Sequence, residues 1–384
     1  MILFFARASM EFFKRYKWPL LSGLLVGFSY IPMPGLFVLF CYSPLWFFAR
    51  QEKSLKRLFW GGWWTQFLLS LIGFHWIGYT AREYGGFPIW FSTLVLFAFA
   101  SFVHLYIPLS LVAFGWLRRK WPWSSPLPLI TLPLLHSVAE RFWPSLFPWH
   151  LGYTTLWNRW PIFQLSDWIG FAGISTILLL ANAYWLWTLQ RGSRVKMGGA
   201  ILVGLLAFGL LNVIGAWHRP VSTRTTTSSS VKILVVQANI DNADKVMAEK
   251  GRGGYQQEIT RRFLRLTELG LGEHPDTQLV VWPETAYADS LDQFRLGDFH
   301  QQRLIQFFTA HKVALFTGAY SVDPPESERR KSYNGAALFS PQRPLEVEMY
   351  HKTHLLMFGE YLPFAETFPI LEKWLPFIAG FGRG

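Results

Sequence analysis

Two glutamates and one lysine carry the chemistry that this sequence is equipped to do. Glu284 lies in Trp282-Pro283-Glu284-Thr285, directly after the apolar run Gln278-Leu279-Val280-Val281. Catalytic groups of layered α/β folds commonly sit at strand C-terminal ends, and a carboxylate partly shielded from water there is a good proton acceptor near neutrality. Lys352 and Glu360 lie in Tyr350-His351-Lys352-Thr353-His354-Leu355-Leu356-Met357-Phe358-Gly359-Glu360-Tyr361-Leu362-Pro363. A lysine facing two carboxylates keeps its charge and can stabilise a developing oxyanion. Taken singly, a glutamate after a strand is usually a solvated loop residue and a lone lysine is surface charge. Their joint occurrence in strand-end settings makes Glu284, Lys352 and Glu360 the candidate site.

A nucleophile is harder to find. The only cysteine, Cys41, lies in the apolar run from Leu36 to Phe48, with no charge or general base in its local sequence. A thiolate there would have to form in hydrocarbon, so Cys41 reads as a small buried side chain of a membrane span. One cysteine also excludes a disulfide framework and a cysteine-rich metal site. No metal or organic cofactor is required by the candidate residues.

The elements that must position these residues follow from patterning. Val231 to Gln237 reads as a buried strand, Gln256 to Leu271 as an amphipathic helix, and Gln278 to Trp282 as a second strand. Phe299 to His311 reads as a helix and Val313 to Gly318 as a third strand. A hairpin then pairs Asn334 to Phe339 with Leu345 to Tyr350 across a turn at Pro341 to Pro344. Strands alternating with helices predict an α/β layered fold.

The first 220 or so residues speak a different language, dominated by Leu, Phe, Trp and Ile. Leu58 to Tyr79, Pro88 to Leu117, Ile174 to Leu189 with its lead-in from Trp168, and Met197 to Trp217 are long enough to cross a bilayer; Leu127 to Val138 is weaker. Between Pro19 and Phe48, Pro32-Met33-Pro34-Gly35 breaks the run into two short spans forming a hairpin. The chain therefore divides into a membrane domain of about seven helices (1–218), a polar linker (219–230) and an α/β domain (231–384).

Charge sets the expected orientation. The formal net charge is +12, but the Lys and Arg residues of the first half flank apolar stretches, which favours positive-inside membrane topology over nucleic acid binding. Lys14, Arg15 and Lys17, Arg50 to Arg57, Arg118 to Lys120, and Arg191 to Lys196 fall on the cytoplasmic side, which leaves everything after Trp217 outside. No small-residue cleavage pattern follows Lys17, so no removable signal peptide is read. The Trp-rich loop from Arg141 to Trp168 reads as an interfacial segment, and Glu140 with Arg141 as either a structural pair or a contact with headgroups.

At V-V-Q-A-N-I (235–240), V-V-W-P-E-T (280–285), Y-N-G-A-A-L (333–338), the Lys352 motif with G-E-Y-L-P, and F-G-R-G (381–384), the sequence resembles the apolipoprotein N-acyltransferases. Their outer domain belongs to the nitrilase, or carbon-nitrogen hydrolase, superfamily. The resemblance implies a multi-span helical bundle followed by a nitrilase-like α/β sandwich in the bacterial inner membrane, with the sandwich on the periplasmic side. It implies a Glu-Lys-Cys triad in which Glu284 is the general base, Lys352 the second member, and Glu360 a further required glutamate. The implied partners are a phospholipid acyl donor, a diacylglyceryl apolipoprotein acceptor and membrane lipid, the acyl chain passing through a cysteine thioester.

The family's nucleophilic cysteine follows the F-x-R-G segment, and this sequence ends within it at Gly384. The expectation is a C-terminally truncated chain, inactive as it stands. Where the family often carries a Trp soon after Ile240, this sequence has Val246 and Met247. Two alternatives compete. A membrane-bound carbon-nitrogen hydrolase, or amidase, would use the same triad on a soluble amide, but a tether needs one span rather than seven. A non-catalytic protein is the other alternative: a transporter-like bundle usually shows internal repeats or charges inside the spans, and no convincing repeat and few such charges are found, whereas a lipoprotein-binding pseudo-enzyme gains weight if the 384-residue form is what cells make.

Overall fold

The computed structural model describes residues 2–30, 33–83, 85–120, 127–144, 149–190, 194–218, 230–241, 254–291, 299–327, 331–344, 346–357, 359–362, 365, 367–368, 370, 373 and 380–384. The chain divides into two compact units, Met1–Thr225 and Thr226–Gly384. Pro32, Val246, Met247 and nearly all of the 219–230 linker lie outside the described residues.

The first unit is helical: α1 (Ile2–Gly27), α2 (Ser43–Gln51), α3 (Leu55–Gly73), α4 (Trp76–Glu83), α5 (Ile89–Phe102), α6 (Tyr106–Lys120), α7 (Leu127–Phe142), α8 (Tyr153–Trp157), α9 (Ser166–Leu189) and α10 (Arg194–Trp217). Among the described residues, three helical stretches are long and apolar enough to cross a membrane: Ile89–Lys120, Pro161–Leu189 and Val195–Trp217. A chain with these stretches is a membrane protein.

Small residues let helices approach. Gly23 and Gly27, one turn apart on α1, lie against α3 so closely that a Cβ on Gly23 would sit 2.9 Å from the Leu68 Cβ, and one on Gly27 would sit 2.8 Å from the Ile72 Cβ. The Thr65 hydroxyl on α3 donates to the Pro19 carbonyl of α1 at 2.9 Å. The apolar run after Pro19 is broken as expected: α1 ends at Gly27, a 3-10 turn spans Gly35–Leu39, and α2 begins at Ser43. Buried Asn182 of α9 satisfies that irregular backbone, donating to the Val38 and Leu178 carbonyls and accepting from the Tyr42 N–H. Cys41 is fully buried beside this turn. Glu140 is buried too, accepting from the Leu151 N–H at 2.8 Å, while the Arg141 guanidinium lies over the Phe142 ring.

The second unit is a mixed six-stranded sheet with helices: β1 (Ile233–Val235), α11 (Tyr255–Glu273), β2 (Leu279–Val281), β3 (Tyr287–Ser290), α12 (Phe299–His311), β4 (Ala314–Val322), β5 (Ser332–Phe339) and β6 (Val347–His351). The order is β1-β2-β4-β5-β6, with β3 also pairing β4. β1, β2 and β4 run parallel, and β4, β5 and β6 antiparallel. Helical spacing on α11 buries Ile259, Phe263, Thr267 and Leu271. Phe263 stacks on Trp282 with ring centres 4.9 Å apart, and the Trp282 indole donates to the Thr267 hydroxyl. Leu304 and Phe308 of α12 join the same core.

One expectation needs correction. The run Val231 to Gln237 is not a buried strand: β1 is a three-residue edge strand on which Ile233 and Val235 are exposed. A continuous apolar run does not report which face of an edge strand is covered.

Candidate active site

The sheet brings the three sequence-predicted residues together from different strands. Glu284 follows β2 in a tight turn: the Trp282 N–H bonds the Phe316 carbonyl, and the Gly318 N–H bonds the Pro283 carbonyl. Thr285, the next residue, has φ +52°, a left-handed conformation that is costly for a β-branched side chain and of a kind that clusters at functional sites. Gly318 of β4 accommodates the turn, because a Cβ there would fall 2.6 Å from the Glu284 Cα. Lys352 comes directly after β6, where its N–H bonds the Asn334 carbonyl of β5. Glu360 closes a turn in which its own N–H bonds the Leu356 carbonyl.

The Lys352 ammonium lies 2.9 Å from Glu360 Oε1 and 3.2 Å from Glu284 Oε1. The Asn334 amide donates to the same two oxygens, at 2.7 Å to Glu360 and 3.0 Å to Glu284. Glu360 Oε2 accepts the Leu356 N–H at 2.7 Å. Residues 381–384 run alongside: the Phe381 N–H bonds the Glu360 carbonyl, the Gly382 N–H bonds the Ser332 carbonyl and the Gly384 N–H bonds the Lys352 carbonyl.

Burial acts against the charge of Lys352, but hydrogen bonds to Glu360 and Glu284 outweigh it and leave the ammonium above its ordinary range. Burial likewise opposes the Glu360 charge, yet the Leu356 N–H, Lys352 and Asn334 hold that carboxyl below its usual range. Glu284 differs from the expectation of a shielded carboxylate: its side chain is 65% exposed. Glu284 is held by its partners rather than by burial.

The arrangement fits proton transfer beside a fixed cation. Glu284 is the accessible carboxylate, Glu360 is the anchored one, and two of the three protons of Lys352 are committed to them. The remaining proton can meet an oxyanion. Asn334, to which the sequence reading gives no role, belongs to the cluster. Its signal was an asparagine in a strand interior, a position where that residue type is depleted. Among the described residues no group of His, Cys, Asp and Glu is arranged to hold a metal ion. Cys41 belongs to the first unit, where it is buried and donates weakly to the Val38 carbonyl while its own carbonyl accepts the Ser22 hydroxyl.

Residues 22–184 match the family described as apolipoprotein N-acyltransferase N-terminal domain. Over 383 residues the chain is 44% identical to the apolipoprotein N-acyltransferase of Bdellovibrio bacteriovorus, covering 97% of this chain and 69% of that protein. The chain belongs to the apolipoprotein N-acyltransferase family. Its likeness to the family's enzyme from Geobacter metallireducens is 29% identity over 96% of this chain and 69% of the relative. For the Aquifex aeolicus apolipoprotein N-acyltransferase the figures are 27%, 94% and 73%. The similarity to these acyltransferases therefore runs through both units and includes the Glu284, Lys352 and Glu360 segments.

Proposed function

We propose that this chain carries the acid-base half of an apolipoprotein N-acyltransferase site, moving a fatty acyl chain from a phospholipid to the N-terminal diacylglyceryl cysteine of apolipoproteins through a cysteine thioester. The observation that carries the reading is the convergence of Lys352 on Glu284 and Glu360, in a chain of this family. A nitrilase-like sandwich is the reading of the second unit that its mixed sheet favours.

The chemistry proceeds in two balanced steps. In the mechanism that the resemblance implies, a cysteine thiol, which these 384 residues do not supply at this site, would pass its proton to Glu284 and attack the phospholipid ester carbonyl. Lys352 faces the oxyanion, and collapse expels the lysophospholipid alkoxide, which takes the proton from Glu284. The acceptor amine then attacks the thioester, again yielding a proton to Glu284, and the departing thiolate recovers it. Covalent transfer splits one difficult exchange of lipids into two easier ones.

In this reading the first unit places seven spans in the bacterial inner membrane and the second lies on the periplasmic side, where lipid-anchored donor and acceptor are both within reach. The test uses the product of the gene in cells depleted of their own apolipoprotein N-acyltransferase. The 384 residues alone, whose one cysteine is Cys41, are expected to leave lipoproteins diacylated by mass spectrometry; when a second cysteine is supplied at the site, N-acylation should survive Cys41→Ala and fall at least about a hundredfold in Glu284→Gln and Lys352→Met. Lipoproteins that stay diacylated even with that second cysteine would instead favour a lipoprotein-binding role. Release of ammonia from small amides would favour the amidase.

A further inference from the structure

An exposed carboxylate makes a poor general base unless something fixes it. Glu284 is such a group, with a side chain 65% exposed, and its ion pair with a lysine 35% exposed adds little rigidity by itself. Glu360 has a different hold: it is 13% exposed, and its second oxygen is taken by the Leu356 N–H. The buried group that reaches both is Asn334, 4% exposed within β5.

Resting on the catalytic reading above, we propose that Asn334 is a positioning residue that keeps Glu284 turned onto Lys352 and so makes Glu284, rather than Glu360, the working base. Its amide nitrogen has two protons, and each goes to a carboxylate oxygen that also accepts from Lys352. One planar NH2 thus sets the separation of the two carboxylates and aims both at the same ammonium. The strand fixes the amide in turn. Asn334 pairs with Tyr320 of β4 across the ladder, and its carbonyl receives the Lys352 N–H at 2.9 Å, so the backbone that carries the anchor also carries the lysine. If the amide is lost, Glu360 keeps Leu356 and Lys352, whereas Glu284 loses the buried donor that ties it to Glu360 and to the ammonium they share.

The test needs no turnover, so its outcome is separable from that of the acyltransferase reading. The 384-residue chain in detergent, labelled with 13C at lysine Cε, is titrated by NMR, and the Lys352 signal is assigned by its loss in Lys352→Arg. In Asn334→Leu, which matches the shape without the donors, the Lys352 midpoint is expected to fall toward those of the exposed lysines, because one of its two carboxylates has left. Circular dichroism checks that each variant is folded. A purely structural asparagine would lower the melting temperature of Asn334→Leu and leave the Lys352 midpoint where it was, which overturns the proposal. If Asn334→Leu does not fold, Asn334→Ala, which also lacks the donors, takes its place, and an unmoved midpoint there overturns the proposal equally.

Discussion

An ammonium held between two carboxylates ties the protonation of three groups together, and this has a consequence for stability. Lys352 is raised in the fold, so its contribution is fully present below the ordinary lysine range and is lost as pH climbs through the folded value, above about pH 10. Glu360 is lowered, so its contribution is present above the ordinary carboxylate range, about pH 4, and is lost as pH falls through its folded value. Thermal unfolding measured against pH should show a drop at both ends for the native sequence. Lys352→Met should remove the alkaline drop and move the acid drop to higher pH, since Glu360 then loses one of its donors; a profile identical to the native one would mean that the cluster is not coupled. At this scale Glu284, Lys352 and Glu360 were legible because each sits in a distinctive run of neighbours. The exposure of Glu284 was not, because an apolar strand before a carboxylate does not say how much of that carboxylate is covered. Asn334 was equally hidden, because its partners are 50 and 26 residues away in sequence.

At the level of elements, the site depends on β4 passing close beneath the Glu284 turn. Gly318→Ala would place a methyl group against the Glu284 backbone, 2.6 Å from its Cα, where the neighbour is main chain and cannot rotate aside. The expected cost is about 1–3 kcal/mol in denaturant unfolding, together with a displaced Glu284 that weakens the Lys352 contact. A Gly318→Ala variant as stable as the native chain would show that the turn has slack. Most elements of the second unit were readable from period and length: α11, α12, and the β5–β6 hairpin lie where the pattern puts them. β3 was missed. Its four residues, Tyr287–Ser290, include Asp289 and follow the strained Thr285, so nothing local distinguishes them from a loop until β4 supplies a partner. In the first unit, the break after Gly27 was legible from Pro32-Met33-Pro34-Gly35, but the role of Asn182 in satisfying the turn was not, since it arrives from more than a hundred residues away.

For the whole molecule, the prediction is one of orientation. Alkaline phosphatase fused after Ser230 should be active under the proposed orientation, in which the basic clusters flank the cytoplasmic ends of the proposed spans. An inactive fusion at that position, with an active one after Arg119, would invert the topology. The division into two units was readable from composition alone, since twenty-residue apolar stretches and alternating strand patterns obey different solvents. The close seam between α1 and α3 bears on how such a chain is made. α1 ends at Gly27 and its docking surface on α3 runs to Ile72, so the ribosome must add some 45 residues before the partner exists. At about 5–20 residues per second, α1 waits on the order of seconds with Gly23 and Gly27 uncovered. During that interval its backbone notch is open to any helix drifting nearby in the bilayer, and the speed of translation between those two segments becomes part of what decides whether the protein meets itself first.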